Sequence, residues 1–226
     1  SEINKLDKIK RIRYTTSHPL DFSNDLIEAH TTVEKLMPLI HLPIQSGSNK
    51  ILKSMNRKHS VKDYLNLVNK LKRSNPSIKF SSDFIIGYPG ETDKDFNDTL
   101  KILKEVEFIN SYSFVFSPRP GTPASKMEKI DENLAKERLK IFQKSAGELK
   151  MRYREELFNK KSSVLFENKI IGKENEFFGR DEYLNSVIVK SQSDLVGKIV
   201  EVDILDGNQN TLYGKIEKTK FKNFAA

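Results

Sequence analysis

The 226-residue sequence contains no cysteine and no tryptophan. Without a thiol there is no disulfide, no thiolate metal site and no cysteine nucleophile, and nothing in the chain can tie an iron–sulfur cluster through thiolates. No apolar run approaches the roughly 18 residues needed to span a bilayer. The first residues, "SEINKLDKIKRIRY", are polar and basic where a secretory leader would be apolar. Neither G-x-x-x-x-G-K-[ST] nor G-x-G-x-x-G occurs, which argues against a phosphate loop or a dinucleotide fold. The four histidines, at 18, 30, 41 and 59, show neither i,i+4 pairing nor a zinc-type spacing. Spacing alone selects no Ser–His–Asp set. The absence of an initiator methionine leads us to expect a fragment or a processed chain.

What is present divides into two textures. Up to about residue 160, strand-like and helix-like segments alternate. Strands are expected over 11–17, 39–46, 79–87 and 110–118. Helices are expected over 23–37, over "NKILKSMN" after Ser48, over 61–74 after Ser60, after Thr92, and from Asp131 to about Lys160. Ser60 with Asp63 and Thr92 with Asp95 both read as capping boxes. Strand–helix alternation with short connections predicts parallel strands. From residue 161 on, five short β-rich segments separated by Gly, Asn and Asp predict a small barrel. The expected domains are therefore 1–160 and 161–226.

The net charge is +8. A basic balance suits nucleic acid, but it equally suits a lysine-rich surface. The excess lies before residue 160, with 28 basic and 21 acidic residues, against 11 and 10 from residue 160 on. Bulk charge therefore does not mark the C-terminal part as an RNA binder.

In parallel α/β proteins, ligands sit at the carboxyl ends of strands. The polar residues there are Thr15 to His18, then Gln45 to Gly47, then Asp83 with Gly87 and Tyr88, then Ser117 to Gly121. Their convergence on one rim predicts a site.

Four stretches, "RIRYTTSHP", "HLPIQSGSNKILKSMNRKHS", "SSDFIIGYPGET" and "YSFVFSPRPGTPAS", resemble successive strand-end motifs of the radical S-adenosylmethionine methylthiotransferases, and "TTSHP" favours the tRNA-modifying branch. "VLFEN", "FFGRDEYLNSVIV", "GKIVEVDI" and "NTLYG" resemble that family's TRAM domain. The resemblance implies an α/β fold: the last four strands of a six-stranded partial (β/α) radical SAM barrel, followed by a small all-β TRAM barrel. It implies S-adenosylmethionine as cofactor, with contacts from Ser17, Gln45, Arg57, Asp83 and Gly87. Arg57 would hold the methionine carboxylate, Asp83 the ribose hydroxyls, and Gly87 would let backbone approach the adenine. The family's two [4Fe-4S] clusters would have no ligands here, so the chain alone would be inactive. The implied partner is a tRNA anticodon stem-loop carrying isopentenyl-adenosine, met by Phe178, Arg180, Tyr183 and Arg119. A cytoplasmic protein with no membrane contact, monomeric when complete, is expected. The alternatives are an RNA-binding module without a catalytic role, and a relative acting on threonylcarbamoyl-adenosine.

Overall fold

The computed structural model describes residues 2–15 and 19–217. They form two compact units. One comprises residues 14–31 and 40–149; the other comprises residues 1–13, 32–39 and the chain from 150 onward. Among the described residues, no helix is long and apolar enough to cross a membrane.

The first unit is built from alternating elements. These are α1 (Asn24–Thr32), β1 (Leu39–His41), α2 (Asn49–Ser54), α3 (Val61–Ser74), β2 (Lys79–Ile86), α4 (Asp93–Val106), β3 (Asn110–Val115) and α5 (Glu132–Glu155), the last belonging to this unit as far as Leu149. Both expected capping boxes form. Ser60 caps α3 with Asp63 answering its backbone N–H, and Thr92 caps α4 with Asp95 doing the same. Each satisfies two N–H groups that a helix start would otherwise leave unpaired. The sheet runs in the order β1-β2-β3, and β2 and β3 are parallel from Ser81↔Asn110 to Ile86↔Val115.

Strand alternation gives this sheet two faces. Phe80, Phe84 and Ile86 join Leu42, Ile44, Leu71, Leu103, Phe108 and Phe142 in a buried core. Burying each such side chain contributes about 1.5–3 kcal/mol. The opposite face carries Ser81, Asp83 and Ile85 beside Tyr112 and Phe114, which are 53% and 61% exposed.

The first expected strand is described only in part, since residues 16 and 17 lie outside the described residues. Over 11–15 there is a single parallel bridge, Ile12↔Leu36, and the sheet among the described residues has three strands. The reason is visible in the side chains. Arg11 donates to the carbonyls of Ser163 and Arg180, and Arg13 to those of Asp181 and Glu182. This segment is thus occupied with the second unit, to which both arginines belong. The last helix also stops earlier than expected, at Glu155. Leu157 and Phe158 instead pack on the barrel core, and Asn159 turns the chain with φ 59°.

The second unit contains the expected closed barrel, ordered β4-β5-β6-β8-β7. Its strands are β4 (Lys161–Lys169), β5 (Glu176–Arg180), β6 (Ser186–Lys190), β7 (Ile199–Gly207) and β8 (Thr211–Lys215). All neighbours are antiparallel except β6 and β8. Val164, Phe166, Phe177, Val187, Val189, Val202, Ile204 and Leu212 fill the interior.

Candidate functional site

Gln45 stands at a break in the β1–β2 register. Leu42 N–H donates to Ser81 O at 2.8 Å, and Gln45 N–H to Asp83 O at 3.0 Å. Three steps along one chain therefore match two along the other, and one extra residue is accommodated. The displaced N–H of Ile44 is taken up by Ser82 Oγ at 2.9 Å. Gln45 itself adopts φ 75°. A left-handed conformation at a non-glycine residue costs on the order of 1–3 kcal/mol, and such outliers cluster where a site must be held in shape. Bulges next to active sites re-aim a side chain in the same way.

The residues after Gln45 are spent internally. Gly47 N–H donates to Thr99 Oγ1, and Ser48 Oγ donates to Asp95 Oδ1 at 2.6 Å. Burial pushes the Asp95 carboxyl up, but hydrogen bonds from Ser48, from the Thr92 hydroxyl and N–H, and from Lys50 outweigh it and hold the carboxyl well below the usual carboxylate range. Asp95 thereby ties the starts of α2 and α4 together. Ser46 and Gly47, polar strand-end residues by sequence, belong to this knot.

Asp83 lies on the open face of the sheet, about a third exposed, with Oδ2 3.4 Å from His41 Nε2. His41 Nδ1 is 3.0 Å from Ser81 Oγ. A Ser–His–Asp set therefore exists, from residues 40 apart in sequence. It is not a hydrolase triad: Ser81 is 4% exposed, and its hydroxyl meets Nδ1, the nitrogen that the carboxylate engages in a hydrolase. The Tyr112 ring meets His41 edge-on at 6.0 Å. The result is a carboxylate flanked by imidazole and aromatic surface. Among the described residues, no group of three or more His, Asp or Glu is placed to hold a metal ion.

The turn after β2 is fastened from behind. Gly87 adopts φ +74°, and a Cβ there would lie 2.8 Å from the Ala135 methyl of α5. Gly87 N–H donates to Glu91 Oε1 at 3.1 Å. The same oxygen accepts from Arg138 Nη1 at 2.9 Å, and Arg138 also donates to Glu91 O and to Asp93 Oδ1. Both charged groups are buried, with the Glu91 side chain 1% and that of Arg138 5% exposed. Burial raises the Glu91 pKa despite the Gly87 N–H and the guanidinium, which lower it. Glu91 and Arg138 form a buried pair that sequence reasoning did not single out. The only local signal was an acidic residue closing a Gly-Tyr-Pro-Gly turn.

The other expected contacts are distributed more widely. Gln45 and Asp83 are joined through the backbone. Arg57, half-buried, lines a separate hollow of about 360 Å³ with Leu20, Asp21, Met55, Asn56 and Lys58. Thr16, Ser17 and His18 lie outside the described residues. Arg119 is exposed in the loop after β3. His30 is buried, 2.6 Å from the Tyr14 hydroxyl, and burial pulls its pKa down to about 4.

On the barrel, Arg180 lies over the Phe178 ring at 5.3 Å and pairs with Glu167 at 3.3 Å. Phe178, Ile188 and Tyr213 are side by side on adjacent strands, each at least partly exposed. Tyr183 is half-buried, edge-on to Tyr153 at 6.0 Å. Its loop is organised by Asp181, which accepts from the N–H groups of Tyr183 and Asn185 and from the Asn185 amide. Burial raises the Asp181 pKa in spite of these bonds.

A parallel β/α segment whose open face gathers polar groups at its strand ends, followed by a closed five-stranded barrel, fits the radical SAM enzymes, and residues 1–103 match the model of the Radical SAM superfamily. A solved structure of coproporphyrinogen III oxidase (HemN) from Escherichia coli, itself a radical SAM enzyme, superposes with a TM-score of 0.50 at 19% identity, covering 61% of this chain and 32% of that one. The first 103 residues of this chain thus resemble this superfamily. More particularly, the chain is a homologue of the tRNA-2-methylthio-N(6)-dimethylallyladenosine synthases. It is 49% identical over 225 residues to that of Pelagibacter ubique (strain HTCC1062), covering 99% of this chain and 50% of the relative. It is 44% identical over 216 residues to that of Wolbachia pipientis wMel, covering 95% and 49%. The chain spans about half the length of the curated relatives it matches, and its barrel is TRAM-like.

Proposed function

We propose that this chain forms part of the S-adenosylmethionine site and part of the RNA-binding surface of a cytoplasmic tRNA methylthiotransferase acting on dimethylallyl-adenosine. The observation that carries the reading is the strained, buried Gln45 bonded through its backbone to Asp83, whose carboxylate lies on the open sheet face, in a chain 49% identical to such a synthase. Asp83 accepts hydrogen bonds from the ribose hydroxyls of the cofactor. The Gln45 amide, aimed by the bulge, reaches the ribose or the methionine part. By resemblance, Arg57, which lines its own hollow, would offer a planar guanidinium to the methionine carboxylate, a geometry a lysine does not reproduce. The turn at Gly87 supports the adenine. When bound, S-adenosylmethionine supplies the organic radical, while these residues bind and orient it and exclude water. The residues present do not fit an iron–sulfur cluster, because the chain has no cysteine to ligate one.

Phe178 and Arg180 support RNA contact on the barrel. An aromatic ring under a guanidinium is a stacking platform that needs little net charge. The names of the relatives favour dimethylallyl-adenosine over threonylcarbamoyl-adenosine as substrate.

The test is calorimetric titration of the chain with S-adenosylhomocysteine and, separately, with an anticodon stem-loop. Asp83→Asn is expected to weaken the nucleoside about 10-fold or more, as loss of a hydrogen bond to a charged group does, and to leave RNA affinity unchanged. Phe178→Ala with Arg180→Ala is expected to do the reverse. RNA binding without any nucleoside binding would favour a plain RNA-binding module.

A further inference from the structure

His41 stands between two polar side chains. It comes from β1, and Ser81 and Asp83 are alternate residues of β2 on the same face. The Ser81 hydroxyl is nearly inaccessible, at 4% residue exposure, so it is not available to a ligand. Ser81 Oγ lies 3.0 Å from Nδ1, and Nε2 lies 3.4 Å from Asp83 Oδ2, within ion-pair distance. Tyr112, paired with Asp83 across the β2–β3 ladder, packs against the imidazole in a T-shaped ring contact at 6.0 Å. An isolated aspartate on an open sheet face would rotate freely. This one has one oxygen engaged by a ring that is itself fixed from two directions.

We propose that His41 is a positioning residue for Asp83: anchored by Ser81 and Tyr112, it holds the carboxylate in the single orientation in which the other oxygen meets a vicinal diol, so that this chain selects ligands carrying an intact ribose. The inference rests on the nucleoside reading of Asp83. It adds a residue and a selectivity that the reading does not contain. The principle is that of metal sites, where a hydrogen bond to the far side of a ligand fixes its orientation and tunes its strength.

The experiment uses the whole chain and two probes, S-adenosylhomocysteine and its 2′,3′-dideoxy analogue, titrated by calorimetry. A thermal melt of each variant establishes that it is folded. Wild type is expected to prefer the diol by about 10-fold or more, the worth of hydrogen bonds to a charged acceptor. His41→Leu is expected to lose most of that preference by weakening only the diol-bearing probe. His41→Gln, whose amide retains a donor towards Asp83, is expected to keep it within about threefold, and Ser81→Ala to fall between them. If His41→Leu weakens both probes equally, or neither, the positioning role is overturned while the role of Asp83 stands. If Asp83→Asn does not change the diol preference, or wild type binds neither probe, the nucleoside reading fails and this inference falls with it.

Discussion

Replacing Arg138 with methionine removes the only cation paired with the buried Glu91 carboxylate among the described residues and keeps most of the side-chain volume. The arm to Asp93 is worth little, because the Asp93 side chain is 87% exposed. The cost is therefore set by Glu91, whose side chain is 1% exposed. Breaking a buried pair by removing one partner costs about 3–5 kcal/mol. The chain has one escape, which is to protonate Glu91. From an ordinary value of 4.5, protonation costs about 3.4 kcal/mol at pH 7 and about 0.7 kcal/mol at pH 5, at 1.36 kcal/mol per unit. A carboxyl whose folded pKa is raised stabilises the fold below its unfolded value and loses that contribution as pH rises through the folded one. The destabilisation by Arg138→Met should thus grow with pH, from about 1 kcal/mol near pH 5 to about 3–4 kcal/mol at pH 7. Urea unfolding of wild type and variant at pH 5, 6, 7 and 8 measures it. Adding Glu91→Gln should remove the pH dependence and recover most of the loss, since a neutral amide oxygen still accepts from Gly87 N–H. A penalty that is flat with pH, or one that the double variant does not relieve, would refute the argument.

Two further outcomes follow from local geometry. Gly87→Ala should cost about 2–4 kcal/mol, combining the left-handed backbone with the contact to Ala135; Ala135→Gly in the same chain should restore only the steric share, read from the same urea curves. His30, held down to about 4 by burial against an ordinary 6.5, favours the fold above pH 6.5 and loses that contribution as pH falls towards 4, a total of about 3 kcal/mol at most. His30→Gln should flatten the stability profile between pH 6.5 and 5, and an unchanged slope there would place the acid sensitivity elsewhere.

The legible parts of the fold were those written in local chemistry. Ser60 with Asp63 and Thr92 with Asp95 announce helix starts because the reciprocal bonds need only residues three apart. The five-stranded barrel was readable from its alternating apolar residues and turn residues. Over the described part of the strand expected at 11–17, residues 11–15, only a bridge forms, and the alternation there serves a different end: Arg11 and Arg13 reach backbone carbonyls more than 150 positions away. The extra residue before Gln45 leaves no mark on a period of two. For the site, Gln45 and Asp83 were chosen by strand-end position and resemblance. His41 was passed over because a spacing rule tests neighbours in sequence, whereas its partners sit 40 residues on. Arg138 escaped for the same reason, as a guanidinium on a long charged helix that looks solvated until the turn at Gly87 closes over it.

The two sheets differ in how they end. Every strand of the small barrel has a neighbour on each side, so its backbone hydrogen bonding is saturated by closure. Among the described residues, β1 and β3 of the β1-β2-β3 sheet each have a strand on one side only, and their outer rows present peptide groups to whatever extended chain arrives. Self-association of this polypeptide in concentrated solution would therefore propagate by strand accretion at those flanks. A lysine or proline facing outward on β3 would be the economical way to keep it monomeric.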